Sequence, residues 1–145
     1  MKKTLIFAAL FAVMLSACQG PQGPKGEDSN WFVTSFTVNS NEWRLSGQPN
    51  DLNSYYYADK IIENLTDFIF EEGIVIAYIK TGNNVKNEMP FVFHRGDSDG
   101  TNESLWTETY DFDFYPGGIT FYVTYSDFST AIRPGTETFY VVLMW

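Results

Sequence analysis

The stretch WTETYDFDFYPGGITFYVTY, residues 106–125, decides the fold. Trp106, Tyr110, Phe112 and Phe114 fall on one parity, and Thr107, Thr109, Asp111 and Asp113 fall on the other. Side chains alternate across a strand, so this pattern predicts one apolar and one polar face. Pro116-Gly117-Gly118 supplies a turn. Beyond it Ile119, Phe121, Val123 and Tyr125 take the apolar parity, and Thr120, Tyr122 and Thr124 the polar one. Two antiparallel strands that each keep one dry face require a second layer over that face.

The flanking sequence supplies that layer. Downstream, Ser126 to Thr136 carries the chain across, and Thr138 to Trp145 reads as a dense apolar strand. Upstream, Glu88 to His94 begins a strand with Pro90 near its start, where proline is tolerated. A polar loop spans Gly96 to Ser104. Ile74 to Ile79 is apolar without alternation, the pattern of a central strand covered on both faces. Glu63 to Gly73 reads as a short helical turn or a crossover. Tyr55 to Ile62 is a strand with Tyr55, Tyr57 and Ile61 on one face, and Ser46 to Ser54 is a loop. Trp31 to Val38 alternates, Asn39-Ser40-Asn41 breaks it, and Glu42 to Leu45 resumes. Seven or eight strands at turn-limited spacing, with no long helix, predict an all-β chain: a single antiparallel β-sandwich over residues 31–145.

Ahead of this domain, residues 1–17 carry Lys2 and Lys3, an apolar run from Thr4 to Leu15, then Ser16 and Ala17. A basic start, a short apolar core and small residues at a cleavage point make a secretory signal. The run is shorter than the about 20 residues that a spanning helix needs. Cleavage between Ala17 and Cys18 is expected. Cys18 is the chain's one cysteine, so no intramolecular disulfide can form and the core alone must hold the domain. Losing Lys2 and Lys3 takes the formal charge from −9 to −11. That acidity argues against nucleic acid and against electrostatic attraction to anionic lipid.

Residues 18–30 form the connection. Glycine at 20, 23 and 26 with Pro21 and Pro24 gives three Gly-X-Y triplets, the collagen pattern. So few triplets read as a stiff extended tether, with a trimer as the alternative, and a monomer is expected.

Leu15-Ser16-Ala17-Cys18, the following GPQGPKGE, and an aromatic-rich β domain ending in FYVVLMW together resemble the collagen-like lipoproteins of Bacteroidota. The first four residues are similar to a bacterial lipobox. The resemblance implies cleavage before Cys18, diacylglycerol on its sulfur and an acyl chain such as palmitate on its new amino group. Two lipid signals give stable attachment where one chain is marginal. Gln19, in place of an aspartate, implies the outer membrane by the same likeness, with the periplasmic or cell-surface face left open. Known members of the group have no established activity.

The candidate sites are few. His94 is the single histidine, and no serine or cysteine sits in a nucleophile motif, so no triad is expected. Asp111 with Asp113, and Glu71 with Glu72, are paired carboxylates that read as solvated faces. Asp97, Asp99 and Glu103 flank Gly100 in a loop whose oxygen ligands at alternate positions suit Ca²⁺, but the loop lacks the full spacing of an EF-hand and an acidic surface turn is the favoured reading. No cofactor is expected beyond the covalent lipid on Cys18. With 18% aromatic residues a stacking surface is worth seeking. Tyr55, Tyr56 and Tyr57 in succession place at least one ring outward, and Tyr122 and Tyr140 lie off the core parity.

These readings predict a non-enzymatic, lipid-anchored outer-membrane protein that presents a β-sandwich to an unknown protein or glycan partner. A carbohydrate-binding module using the exposed tyrosines is the alternative. An enzyme requires His94 or two carboxylates to converge in a concave pocket.

Overall fold

The structure is a computed structural model and describes residues 29–145; the expected leader, the expected cleavage between Ala17 and Cys18 and the Gly-X-Y tract lie outside the described residues. In chain order the elements are β1 (Trp31–Val38), a 3₁₀ turn (Ser40–Glu42), β2 (Arg44–Ser46), β3 (Tyr55–Ile61), α1 (Asp67–Glu72), β4 (Ile74–Gly82), β5 (Val85–Glu88), β6 (Phe91–Ser98), β7 (Glu103–Tyr115), β8 (Gly118–Tyr125) and β9 (Glu137–Met144). They form two antiparallel sheets, a four-stranded one in the order β1-β9-β4-β5 and a five-stranded one in the order β2-β3-β8-β7-β6. The fold is an all-β sandwich.

The hairpin of residues 106–125 pairs in the register that its alternation demands, with Phe112 opposite Phe121 and Phe114 opposite Ile119. Gly117 makes the turn with φ +89°, a conformation in which a Cβ is disfavoured. Ile119, Phe121 and Val123 from β8 meet Phe139, Val141 and Leu143 from β9 and Ala77 and Ile79 from β4, all of them buried. Trp43 fills the core edge-on to Phe139, with 6.1 Å between centroids, and its Nε1 donates to the Gly135 carbonyl at 3.0 Å.

One end of the sandwich is closed by α1. Its N-cap Thr66 accepts at Oγ1 from the Ile69 amide, at 3.3 Å. The Ile62 amide donates to the Gly117 carbonyl at 2.9 Å, and the Gly117 amide to the Leu65 carbonyl at 2.7 Å, which ties the end of β3 to the β7–β8 turn. Phe70 packs on Phe114, with 5.8 Å between centroids. The opposite end is closed by residues 126–136, held where the Tyr56 hydroxyl donates to the Thr130 carbonyl at 2.7 Å.

Four expectations are corrected. Among the described residues there are nine strands, because Val85–Glu88, with a single apolar residue, pairs with β4 without an apolar alternation of its own. Ile74–Ile79 lies in an interior strand but is not covered on both faces: Ile74 is 57% exposed. Its run is unbroken because Ile74 and Ile76 stand in register with Met144 and Val142 of β9, which pair in turn with Trp31 and Val33 of β1. The outer face of this sheet is thus itself apolar. The loop of residues 96–104 shortens to 99–102 because β6 and β7 continue pairing as far as Ser98 and Glu103. Finally, Glu42 belongs to the 3₁₀ turn, its carboxylate accepting from the Asn39 amide at 2.8 Å, and β2 starts only at Arg44. The segment between Glu63 and Gly73, read two ways, is both a helical turn and the crossover between sheets.

Candidate functional site

At the end opposite α1 a cleft of about 470 Å³ opens between the inner face of the five-stranded sheet and residues 127–137. Arg95 from β6, Trp106, Glu108 and Tyr110 from β7, Tyr125 from β8 and Glu137 from β9 line it. Trp106, Glu108 and Tyr110 share one parity, so a carboxylate stands in a row of inward rings. Arg95 lies opposite Trp106 in the β6–β7 register. Its Nε donates to Glu108 Oε2 at 3.1 Å and its Nη2 lies 3.0 Å from the same oxygen, while Trp106 Nε1 donates to Glu108 Oε1 at 3.4 Å. The guanidinium also sits 4.3 Å from the centre of the Phe93 ring.

Glu137 stands across from this pair and accepts from the Tyr110 hydroxyl at 3.4 Å. Burial pushes its carboxyl above the usual range; the Tyr110 hydrogen bond opposes that shift and the neighbouring Glu108 carboxylate adds to it. Burial likewise raises the Tyr110 and Tyr125 phenols, followed by Glu137 and then Glu108 at Tyr110, and by Glu108 and then Tyr56 at Tyr125. The wall includes Asp127 and Ser129, and between them Phe128 holds φ at +53°. That region is unfavourable for a bulky side chain, and such strain is found at binding and catalytic loops. The cleft therefore offers indole and phenol rings beside matched donors and acceptors.

A second surface lies on the outer face of the five-stranded sheet. Tyr57 pairs with Tyr122 across β3 and β8. The Tyr55 ring stands 5.8 Å from that of Tyr122 and 6.4 Å from that of Tyr57. Arg44 lies 4.6 Å over Tyr57 and forms an ion pair with Asp59, which also accepts from Thr120 Oγ1 at 2.7 Å. The Tyr122 phenol is pushed up to about 12, by burial first and then by Asp113. This is a flat patch of half-exposed rings edged by charge.

Three of the five tyrosines picked out from the sequence thus come together, and two do not. Tyr56 is buried at 4% exposure and belongs to the core, because its neighbours Tyr55 and Tyr57 occupy the outward parity. Tyr140 faces out from the other sheet, 3.3 Å beneath the Lys86 ammonium. His94 is exposed opposite Thr107, and Asp111, Asp113, Glu71 and Glu72 are exposed. In the acidic loop Asp99 Oδ1 accepts from the Thr101 and Asn102 amides at 2.8 and 2.7 Å, which holds its carboxyl below the usual range. Asp97 accepts from the Ser98 amide. Among the described residues no group of three or more His, Cys, Asp or Glu side chains is placed to hold a metal ion, so Asp97, Asp99 and Glu103 do not converge.

Glu108, Glu137 and Arg95 escaped the sequence reading. The one available signal was Glu108, a charge on the apolar parity between Trp106 and Tyr110; Glu137 joins it only through the fold. No family model matches the chain, and no curated protein or solved structure matches it either.

Proposed function

We propose that this chain is a lipid-anchored protein of the outer membrane, attached through acylated Cys18, whose β-sandwich binds a saccharide in the cleft between Trp106, Glu108 and Glu137. The observation that carries the reading is the Trp106 indole beside the Arg95–Glu108 pair in a concave site. Sugars present apolar C–H faces to aromatic rings and hydroxyls to paired donors and acceptors, and small-ligand sites combine such surfaces in one hollow. Pairing within the cleft suits a neutral ligand.

Titration of the protein with soluble glycans, followed by tryptophan fluorescence and calorimetry, tests this. Binding that Trp106→Ala abolishes supports it. Binding that survives Trp106→Ala but is lost in Tyr122→Ala moves recognition to the tyrosine face. No binding across a broad glycan panel leaves a protein partner as the account. Membrane pelleting of Cys18→Ala tests the anchor separately, and an unchanged pelleted fraction removes it.

One observation favours a second reading, saccharide hydrolysis: Glu137 is raised and shares the cleft with Glu108. Glycosidases place a raised carboxylic acid and a second carboxylate on either side of the scissile bond. Release of reducing ends from a bound oligosaccharide, abolished in Glu137→Gln while binding persists, selects it. Unaltered oligosaccharide selects binding alone.

A further inference from the structure

The end of the sandwich closed by α1 gathers exposed apolar side chains from separate elements. Trp31 starts β1, Ile61 ends β3, Phe68 lies on α1, Ile74 starts β4, Tyr115 ends β7 and Trp145 follows β9. Their exposures are 73%, 78%, 60%, 57%, 44% and 38%. The Gly117 bonds, the Phe70–Phe114 contact and the closeness of Gly73 to the Met144 carbonyl place these element ends around one helix. The chain also enters here: the Asn30 and Trp145 backbones exchange two hydrogen bonds, of 2.8 and 3.0 Å. Cys18 precedes Trp31 by 13 positions, a reach of roughly 45 Å at full extension.

We propose that this end docks on the lipid interface, with Trp31, Ile61, Phe68, Ile74, Tyr115 and Trp145 set among the headgroups and upper acyl chains. The inference rests on lipid attachment at Cys18. Tryptophan and tyrosine favour the interface, where an apolar ring and a polar tip are both satisfied. Trp31 and Ile74 face out from the four-stranded sheet and Ile61 and Tyr115 from the five-stranded one, so together they rim this end. Exposed apolar groups gathered at one end mark an interaction site. An anchor entering at this end brings that surface to the bilayer. The other end presents Leu52, Val85, Leu105 and Ile132 as its exposed large apolar side chains, none of them aromatic. Glu63, Asp67, Glu71 and Glu72 are exposed around α1, so the matching lipid is zwitterionic, and insertion rather than charge supplies the contact. Docked in this way, the sandwich turns its cleft away from the membrane.

The test uses the full-length protein in phosphatidylethanolamine–phosphatidylcholine vesicles with brominated acyl chains. Quenching of tryptophan emission is expected, undiminished at high salt and lost in Trp31→Phe/Trp145→Phe, which keeps Trp43 and Trp106. Phe68→Asp is expected to reduce it, and Ile132→Asp at the far end is expected to leave it unchanged. The mass of the N-terminal peptide reads acylation independently. Acylated Cys18 without quenching overturns docking and leaves the anchor intact, whereas an unacylated Cys18 removes both. A dimer or trimer in detergent that Phe68→Asp dissociates assigns the surface to a second copy and also overturns the proposal.

Discussion

Phe121 of the five-stranded sheet and Phe139 of the four-stranded sheet lie face to face, with centroids 4.1 Å apart and planes 12° apart. Trp43 and Tyr110 pack on Phe139 and Phe36 packs on Phe121, so a chain of rings joins the two layers. In a chain whose one cysteine, Cys18, lies outside the sandwich, this contact takes the place of a cross-link between sheets. Phe139→Ala and Phe121→Ala are each expected to cost about 3–5 kcal/mol. A double-mutant cycle by urea unfolding should show a coupling of about 0.5–1.5 kcal/mol beyond burial. Additive losses would show that the stacking itself contributes nothing.

The buried Tyr56 hydroxyl holds the loop of residues 126–136 by its 2.7 Å bond to the Thr130 carbonyl, next to a contact between Ser54 Oγ and Thr130 Oγ1 at 3.0 Å. Tyr56→Phe keeps the ring and leaves the carbonyl unpaired. A loss of about 1–3 kcal/mol is expected. Because this loop walls the cleft, ligand affinity should fall with it, whereas a local hinge without consequence for the cleft would leave affinity unchanged.

Gly73 joins α1 to β4 where no Cβ fits. An added Cβ would stand 2.6 Å from the Ile69 carbonyl oxygen and 2.8 Å from that of Met144, and both are backbone atoms that cannot swing aside. Gly73→Ala should therefore destabilise by about 1–3 kcal/mol, in the manner of an overpacked core. Gly135→Ala, with nothing within 4 Å, is the control and should stay within about 0.5 kcal/mol of the parent.

Two carboxylates tilt stability with pH in opposite senses. Glu137 is raised in the fold, so its contribution is present below its unfolded value and is lost as pH rises through its folded value. Glu42 is held down at about 2 from 4.5, first by the Lys60 ammonium and then by the Asn39 amide. Its contribution is present above 4.5 and is lost as pH falls toward 2. Urea midpoints measured from pH 2 to 7 should therefore show Glu137→Gln removing part of the decline on the high side and Glu42→Gln part of the decline on the low side. Identical profiles for parent and variants would contradict both assignments.

The strands with one wet face were legible because alternation reports burial directly: residues 106–125 and 31–38 pair as their parities require. Val85–Glu88 was not, since an edge strand of polar residues pairs through its backbone, which the side chains do not announce. Ile74–Ile79 misled for a related reason. An apolar run says that both faces are apolar, and only the packing shows that one of them is left uncovered. Among the tyrosines, Tyr55, Tyr57 and Tyr122 gathered on one face because the β3–β8 register sets Tyr57 beside Tyr122.

Local periodicity was enough to settle the all-β class, the inward rows of the long hairpin and the buried place of Phe121 and Val123, because each depends on neighbours two residues away. The cleft was a matter for the tertiary structure alone. Glu108 and Glu137 are far apart in the chain, and their approach depends on how one sheet sits over the other and on the path of residues 126–136 between them. The same holds for the apolar end, where exposed side chains from six parts of the sequence come to one end because strands of two sheets finish there around α1. Alternation encodes which way a residue faces; which distant residues it faces follows from the crossing of the sheets.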